Sequence, residues 1–276
     1  MPDPQPSVQP HPHPLLRVRD LRITVAGGAE AVRGVSFDVA PGEAVGLVGE
    51  SGSGKTLTCR AVLGVLAPGC AVAGGSVEFD GRELTGLSRK EWTALRGTGI
   101  AAVFQDPASY LNPSLTVGGQ LAEVLRVKRG LGRRAARERA LELLTSMELR
   151  DPARVYGQYP HELSGGMLQR VLIAVAVSCE PRLLIADEAT TALDVTVQAE
   201  VLELLNRLRA ERGLSVVLVS HDLAVVAETC DRVAVLYHGE IVETGPTAEV
   251  LAAPRHPYTR ELLREAQAFS LVGAAA

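Results

Sequence analysis

Apolar positions near the beginning of the chain fall in short runs that suit strands. The segments "LLRVRDLRITV", "VRGVSFDV" and "EAVGLVG", within residues 15–49, are rich in β-branched residues, and the dipeptides Gly27-Gly28 and Pro41-Gly42 separate them. Short runs of this kind bounded by turn residues predict three strands. A helix is predicted from Lys55 to about Leu66. "SVEFDGREL" then predicts a hairpin around Asp80-Gly81, and "GIAAVFQD" predicts a buried strand that ends at Gln105.

The middle of the chain, from Asp106 to about Glu180, has the apolar spacing of helices. The segments "VGGQLAEVLRVKRG" and "RRAARERALELLTSM", and the stretch after Ser164, repeat apolar residues at helical intervals and contain almost no strand signal. We therefore expect a helical subdomain at about 106–180, inserted into a sheet domain.

Strands and helices alternate in the last part of the chain. "RLLIADE" and "LSVVLVS" predict buried strands; the helix after the first ends at Gly213, and the helix after the second begins beyond Asp222. "RVAVLYHGEIVETG" predicts a hairpin that turns at His238-Gly239. This alternation predicts an α/β fold with a mostly parallel sheet covered on both faces.

Composition narrows the function classes. With 276 residues, 46% hydrophobic and 22% charged, the chain can bury one full-sized core. A net charge of -4 and a pI near 5.9 give no basic field, which argues against nucleic acid as a partner. The four cysteines lie far apart without a C-x-x-C pair, so they suggest neither a zinc site nor a disulfide framework, and they fit a reducing cytosol.

The two ends of the chain are predicted to lie outside the folded domain. Residues 1–14 are rich in proline and lack the apolar core of a secretory signal, so we expect a disordered tail. Residues 268–276 are predicted to be a flexible end, which leaves 15–267 as the folded domain. The longest apolar run, "VLIAVAV", is too short to span a bilayer, so action at a membrane would require another chain.

The segment "GESGSGKT", called the P-loop below, has a complete phosphate-binding pattern between an apolar strand and a predicted helix. Its glycines let backbone N–H groups turn toward phosphate oxygens, Lys55 reaches the terminal phosphates, and Thr56 ligates magnesium. The sequence therefore predicts a nucleotide site made of Gly49, Glu50, Ser51, Gly52, Ser53, Gly54, Lys55 and Thr56.

Two carboxylates, Asp187 and Glu188, end the predicted strand "LLIADE" at the edge where α/β sheets place ligands. A structural alternative is that they cap the next helix near Thr190-Thr191. With a P-loop upstream the catalytic interpretation is favoured: Asp187 would hold magnesium through its water shell, and Glu188 would polarise the attacking water.

Gln105 and His221 also close predicted strands. The Gln105 amide is a candidate to touch a metal-bound water, and His221 is a candidate to bond the γ-phosphate. Taken singly, each also fits an ordinary polar residue at a strand end. "LSGGMLQR", Leu163 to Arg170, supplies a second glycine-rich turn before a helix, although one nucleotide needs only one such cradle.

The order of these parts resembles the ATP-binding cassette family of transport ATPases. The P-loop, Gln105, "LSGGMLQR", "LLIADE", "TALD" at Thr191 to Asp194, and His221 match the Walker A loop, Q-loop, signature motif, Walker B strand, D-loop and H-loop of that family. The resemblance covers about 15–263. It implies a P-loop NTPase cassette with a mostly parallel sheet core, an N-terminal antiparallel β part and an inserted helical subdomain.

The resemblance also implies how the residues act. ATP and Mg²⁺ are the expected cofactors, with Thr56, Gln105 and Asp187 toward the metal and with Glu188, His221 and Gln105 in catalysis. Cassettes of this family work as head-to-tail pairs, so Ser164, Gly165 and Gly166, at a helix N-terminus, would face the γ-phosphate bound by a partner cassette, with Asp194 nearby.

Local similarity is to the dipeptide, oligopeptide and nickel importer ATPases. It rests on the segments "FQDPASYLNPSLTVG", "YPHELSGGMLQR", "DEATTALDVTVQAE" and "APRHPYTRELL". This resemblance implies a second ATPase subunit, identical or different, two transmembrane permease subunits and an extracytoplasmic substrate-binding protein. It implies a peripheral location on the cytoplasmic face of the cell membrane. The groove at about 105–117 would receive a helix of the membrane subunit.

Three features depart from that family pattern. Ala189 replaces the usual proline after the catalytic glutamate, and Val25 stands where an aromatic residue usually stacks on adenine. A cysteine-bearing C-terminal extension is not seen before Ala276, which tilts the expectation toward nickel-type subunits without deciding between nickel and peptide. A soluble, non-transport regulatory ATPase of the same family is the alternative function.

Overall fold

The computed structural model describes residues 13–189 and 194–273, with the side chains of the last helix described as far as residue 266. Most of the predicted tail (1–14), Thr191 to Leu193 of the predicted D-loop, and residues 274–276 lie outside the described residues. The expectations for them stay predictions.

The described chain begins with consecutive strands, has a run of helices in its middle, and alternates strands and helices toward its end. Its strands are β1 (Leu16–Thr24), β2 (Glu30–Val39), β3 (Ala44–Val48), β4 (Ala71–Phe79), β5 (Arg82–Glu83), β6 (Ile100–Phe104), β7 (Leu183–Asp187), β8 (Ser215–Ser220), β9 (Arg232–Tyr237) and β10 (Glu240–Pro246). Its α-helices are α1 (Lys55–Val62), α2 (Arg89–Leu95), α3 (Pro107–Tyr110), α4 (Val117–Arg129), α5 (Arg133–Ser146), α6 (Pro152–Gly157), α7 (Gly165–Val177), α8 (Val195–Arg212), α9 (Leu223–Thr229), α10 (Thr247–Ala252) and α11 (Pro257–Gly273).

By backbone contacts the chain divides into two compact units. The first combines the described residues up to Trp92 with those from Ser215 onward, and the second is Thr93–Leu214. In the first unit, β2, β1, β4 and β5 form an antiparallel sheet in that order. A second group of strands runs in the order β10, β9, β3, β8, with β3 parallel to β8 and β9 and with β10 antiparallel to β9.

The core of the first unit depends on the close approach of a helix to β3. Every residue of β3, "AVGLV", is buried, which is typical of a central parallel strand covered on both faces. A Cβ atom at Gly46 would lie 2.6 Å from Cγ1 of Val226 on α9. Glycine at this position therefore lets α9 pack directly on the strand backbone.

Two sequence predictions in this unit differ from the structure in their extent. Helix α1 ends at Val62 rather than near Leu66, because Gly64 adopts a left-handed conformation with φ +63°. Gly64 also lies against the ring of Trp92: a Cβ atom on it would be 2.3 Å from the nearest ring atom. Strand β4 begins at Ala71, earlier than the predicted hairpin strand. Its exposed, glycine-containing first half is held by pairing with β1, as far as Thr24 opposite Ala71.

The second unit combines a parallel strand pair with packed helices. Strands β6 and β7 pair in parallel from Ile100 opposite Leu183 to Phe104 opposite Asp187. Helices α4, α5 and α6 pack together, and Gly118 on α4 sits against the ring of Tyr156, 2.1 Å from where a Cβ would stand. Helix α7 is the predicted apolar run after Ser164, and most of its residues are buried.

These elements confirm the predicted α/β class with an antiparallel N-terminal part. The helix that ends before Gly213, the helix after Asp222 and the hairpin turn at His238-Gly239 are confirmed as well. The boundaries proposed for the helical subdomain, about 106–180, stay a prediction. Within the two described ranges, no helix is both long enough and apolar enough to cross a membrane.

Candidate functional site

Strand register brings two predicted site residues to neighbouring strand ends in the first unit. Val48, the last residue of β3, is paired with Ser220, the last residue of β8. The P-loop begins at the next residue after β3, and His221 is the next residue after β8. His221 is exposed there. The carboxyl edge of parallel strands is where α/β folds bind ligands.

The P-loop glycines occupy backbone conformations and spaces that other residues do not suit. Gly49 has φ +147°, and a Cβ atom there would lie 2.1 Å from the carbonyl oxygen of Leu236. Gly54 has φ +106° and is the N-cap of α1, and Gly52 has φ +83° with open space on its Cβ side. The loop therefore follows a path that requires glycine and turns directly into the helix N-terminus.

Lys55 is buried inside the loop that it belongs to. The residue is only 4% exposed. Its Nζ donates hydrogen bonds to the carbonyl oxygens of Gly49 and Glu50, at 2.7 and 2.8 Å, and to Ser53 Oγ at 3.4 Å. A buried ammonium group requires such partners, because removing an ion from water without replacing its hydrogen bonds costs on the order of several kcal/mol. The ammonium is thus held at the centre of the loop.

The loop offers hydrogen-bond donors and positive charge that suit a bound phosphate chain. The backbone N–H groups of Gly52 and Gly54 donate to no acceptor within the described part of the chain. These two donors lie beside a fixed ammonium and the N-terminus of α1, where the helix dipole also favours anions. Thr56, the second residue of α1, is half-buried, and its hydroxyl is of the hard oxygen type that Mg²⁺ prefers.

Two contacts that the sequence reasoning missed support the P-loop. The N–H of Gly239, in the β9–β10 turn, donates to the Ser53 carbonyl at 3.0 Å, and the Gly239 carbonyl accepts from the Arg33 N–H at 2.8 Å. From α11, the hydroxyl of Tyr258 accepts a hydrogen bond of 2.8 Å from the Glu50 N–H. Tyr258 lies in the segment "APRHPYTRELL", and the family resemblance of that segment is its one sequence signal.

In the second unit, register places Gln105 beside the two carboxylates. Phe104 at the end of β6 pairs with Asp187 at the end of β7, so Gln105 and Glu188 directly follow paired residues. Asp187 is 5% exposed, whereas Glu188 is half-buried and Gln105 is exposed. Glu188 has φ +51°, a left-handed conformation that costs a non-glycine residue roughly 1–3 kcal/mol. Ala189, next to it, is buried.

The predicted signature segment forms a capped helix start. Ser164 Oγ accepts from the Met167 N–H at 3.3 Å as the N-cap of α7, and the N–H groups of Gly165 and Gly166 have no acceptor among residues that the structure describes. Ser164 and Gly165 are exposed. Free donors at a helix N-terminus form an anion site. The geometry is thus suited to bind a phosphate group.

The start of α8 lies against this segment. Asp194 is exposed and caps α8, its carboxylate accepting from the Val197 N–H at 3.0 Å. A Cβ at Gly166 would lie 2.5 Å from Cγ1 of Val197. Glycine at 166 therefore lets the predicted signature helix and the helix after the D-loop approach closely.

Val25, which the family resemblance predicts at the adenine-stacking position, lies in a turn after β1. Its N–H donates to the Ala29 carbonyl at 2.9 Å, and its own carbonyl accepts from the Gly28 N–H at 2.9 Å. The side chain is half-buried and aliphatic. A π-stacked base would find no ring at this position.

Comparison with known proteins agrees with these motifs. The profile of the ABC transporter family matches residues 32–191, more than half of the chain. The chain is 46% identical over 264 residues to a dipeptide transport ATP-binding protein, DppD, of Bacillus subtilis, an alignment that covers 94% of this chain and 79% of that protein. It is 49% identical over 253 residues to a putative peptide import ATP-binding protein of Brucella abortus, with 91% and 76% covered.

A solved structure has the same architecture. The ATP-binding cassette MJ0796, in a dimeric post-hydrolysis state bound to ADP and Pi, aligns with a TM-score of 0.74 and 30% identity, covering 84% of this chain and 98% of that one. The resemblance inferred from the sequence, the fold that it implies and the ATPase activity are thereby confirmed. The chain belongs to the ABC transporter family, in which it is an ATP-hydrolysing cassette.

Proposed function

We propose that this chain is the ATP-binding and ATP-hydrolysing subunit of an importer that takes up peptides through separate membrane subunits. The observation that carries the nucleotide part is the buried Lys55 ammonium, fixed at the centre of a glycine loop whose amides at residues 52 and 54 point to no protein acceptor. The relatives named for dipeptide transport and peptide import support the substrate class.

In the proposed mechanism each residue has a limited task. The P-loop amides and Lys55 hold the phosphate chain, and Glu188 accepts a proton from the water whose oxygen forms the new bond to the γ-phosphorus, while the bond to the leaving ADP oxygen breaks. His221 bonds a γ-phosphate oxygen, and Gln105 orients water. Mg²⁺, held by Thr56 and through water by Asp187, would neutralise phosphate charge. A positioned base contributes roughly 100- to 10,000-fold.

The predicted partner cassette accounts for the free donors at the start of α7. Ser164, Gly165 and Gly166 would contact the ATP bound by a second cassette in a head-to-tail pair. The dimeric state of the solved cassette MJ0796 supports this arrangement. Whether the second cassette is the same chain or a different one is an outcome of experiment, since both arrangements present the same helix terminus to the nucleotide.

The remaining partners follow from the same proposal. ATP would close the cassette pair and hydrolysis would reopen it, and these motions would drive two transmembrane permease subunits that receive substrate from an extracytoplasmic binding protein. The chain would then act at the cytoplasmic face of the cell membrane. A non-transport regulatory ATPase is the competing function, and the transport names of the relatives favour import over it.

The proposal is tested by uptake of a labelled dipeptide and of nickel ion, side by side, in source cells that carry the wild-type chain or Glu188→Gln. We expect loss of dipeptide uptake and unchanged nickel uptake in the variant. Loss of nickel uptake alone would replace the peptide by nickel as the substrate. No change in either, together with failure of the chain to co-purify with membrane proteins, would favour the regulatory alternative.

A further inference from the structure

The first turn of α11 makes a direct contact with the P-loop that the proposed chemistry does not use. The Tyr258 hydroxyl accepts the Glu50 N–H at 2.8 Å across a sequence separation of 208 residues. Tyr258 is 5% exposed, so its ring and hydroxyl are enclosed by the first unit rather than resting on its surface. A C-terminal residue thus fixes a backbone atom inside the phosphate-binding loop.

The position of the Tyr258 ring is itself constrained from two sides. Its ring packs on that of Tyr237 with centroids 4.1 Å apart, and its backbone N–H donates to His256 Nδ1 at 3.2 Å. The turn before the helix is held by the buried Glu243 carboxylate on β10, whose two oxygens accept from the N–H groups of Arg255 and His256 at 2.8 and 3.0 Å. The hydroxyl therefore stands at the end of a rigid support.

The contact is also chemically specific. Glu50 lies between Gly49 and the free donors of the loop, and its carbonyl accepts from Lys55 Nζ at 2.8 Å while its N–H is bound by Tyr258. One peptide segment thus joins the tyrosine hydroxyl to the phosphate-binding ammonium. Burial raises the pKa of Tyr258 above its ordinary value, so the phenol stays neutral through the physiological range.

We propose that Tyr258 is a positioning residue of the nucleotide site: its hydroxyl holds the Glu50 backbone so that Lys55 and the loop amides meet the phosphates of ATP. The inference rests on the proposed role of the P-loop. Tyr258 itself touches no phosphate in this scheme. Loss of one backbone hydrogen bond in a half-exposed loop should weaken ATP binding roughly 3- to 10-fold.

The test compares Tyr258→Phe with Tyr237→Phe in the full-length chain. Both substitutions remove one hydroxyl from the same ring pair, but only the first removes the acceptor of the Glu50 N–H. Affinity is measured with a fluorescent ATP analogue, and KM and kcat are measured by phosphate release. We expect Kd and KM to rise roughly 3- to 10-fold in Tyr258→Phe with kcat within about two-fold, and neither to change in Tyr237→Phe.

Three results separate the inference from the function on which it rests. Unchanged Kd and KM in Tyr258→Phe, while Lys55→Ala loses binding, would overturn the inference and leave the nucleotide site intact. Failure of the wild type to bind the analogue would overturn both. Thermal unfolding without nucleotide distinguishes misfolding, since equal Tm values for the two Phe variants mean that a rise in KM comes from the loop. A rise that tracked a fall in Tm would count against positioning.

Discussion

At the first position of the P-loop, Gly49, the nearest obstacle to a side chain is a backbone group. At Gly49 the obstacle is the Leu236 carbonyl oxygen on β9, which a Cβ atom would meet at 2.1 Å. A backbone carbonyl in a paired strand cannot rotate away as a side chain can. Position 49 therefore excludes every residue but glycine for steric reasons, in addition to its positive φ.

We expect Gly49→Ala to lower the free energy of unfolding by about 2–5 kcal/mol, because it combines backbone strain with overlap against a fixed strand. Gly27→Ala is the matched control: Gly27 has φ +91° but open space around its Cβ position, so only strain of about 1 kcal/mol applies. Urea unfolding followed by circular dichroism measures both. Equal losses would show that the Leu236 contact is unimportant.

For single residues, the sequence predicts which ones belong to the site better than it predicts their long-range contacts. The glycines, Lys55 and the carboxylates after "LLIA" were identifiable because their motif spacing is short and its chemistry is general. The Tyr258–Glu50 bond was not, since it joins residues 208 positions apart and no local pattern encodes it. The left-handed conformation of Glu188 was likewise not predictable, because non-glycine residues rarely adopt it.

Among the elements, α7 and α8 are joined by a buried arginine. Arg170 is 8% exposed and donates to the Met147 carbonyl at 2.8 Å and to Glu200 on α8 at 2.8 Å, with Glu148 as a third partner at 3.3 Å. Glu148 is in turn paired with Arg207 of α8. The predicted signature helix and the helix that follows the D-loop are thereby connected through side-chain hydrogen bonds.

Arg170→Gln is expected to destabilise the protein by about 2–4 kcal/mol, because it removes charge-assisted bonds and leaves the buried Met147 carbonyl without its donor. Arg134→Gln is the control, since Arg134 forms an exposed i,i+4 pair with Glu138 worth less than about 0.5 kcal/mol. Chemical denaturation of the two variants gives the difference. A loss at position 170 no larger than at 134 would contradict this account.

Helix α11 depends on one carboxylate for its starting point. Glu243 accepts two backbone N–H groups at once, and glutamine offers only one acceptor oxygen. We therefore expect Glu243→Gln to cost about 1–3 kcal/mol, whereas Glu240→Gln, at an exposed position on the same strand, should stay within about 0.5 kcal/mol. Thermal unfolding tests this, and indistinguishable Tm values would refute it.

Most elements were predictable because their ends carry strong signals. Helices α4 and α8 end at Gly130 and Gly213 in left-handed conformations, as glycine after an apolar periodic run indicates. Short helices such as α3 and α6 were missed, since four to six residues give no periodicity. The early start of β4 was missed because Gly74 and Gly75 weaken the strand signal, and only pairing with β1 overrides it.

For the whole molecule, stability should decline in acid. Hydrogen bonds from Arg207 and then Arg170 hold the pKa of Glu148 below its usual 4.5, and the Ser88 side chain, first among several donors, lowers the pKa of Glu91. A carboxyl with a lowered pKa in the folded state binds protons more weakly than in the unfolded state. Its stabilising contribution is therefore present above pH 4.5 and is lost as pH falls through the lowered values.

Urea midpoints at pH 7, 5, 4 and 3 measure this dependence. As far as these two carboxyl groups are concerned, the urea midpoint of the wild type should be nearly constant between pH 7 and 5 and should fall below pH 5. The Arg207→Gln variant should be less stable than the wild type at pH 7. It should lose less stability between pH 5 and 3, because the pKa of Glu148 in the folded variant lies closer to its value in the unfolded chain. An equal acid loss in both proteins would exclude Glu148 as a contributor.

The fold class followed from the sequence because alternation of strand and helix patterns leaves few architectures. The pattern did not show that β3, the third strand along the chain, lies outside the sheet of β1 and β2. It pairs in parallel with β8 and β9 instead. Its residues "AVGLV" are buried on both faces, which fits a central parallel strand, but the choice of partners depends on segments more than 150 positions away.

The most direct test of the whole account is ATP turnover by the purified wild type and Glu188→Gln, with ATP affinity measured on the same samples. Gln keeps the size of the side chain but cannot accept the proton of the attacking water. We predict turnover reduced roughly 100- to 10,000-fold with affinity within a few-fold of the wild type. A variant that hydrolyses ATP at more than about a tenth of the wild-type rate would contradict the assignment of Glu188 as the base.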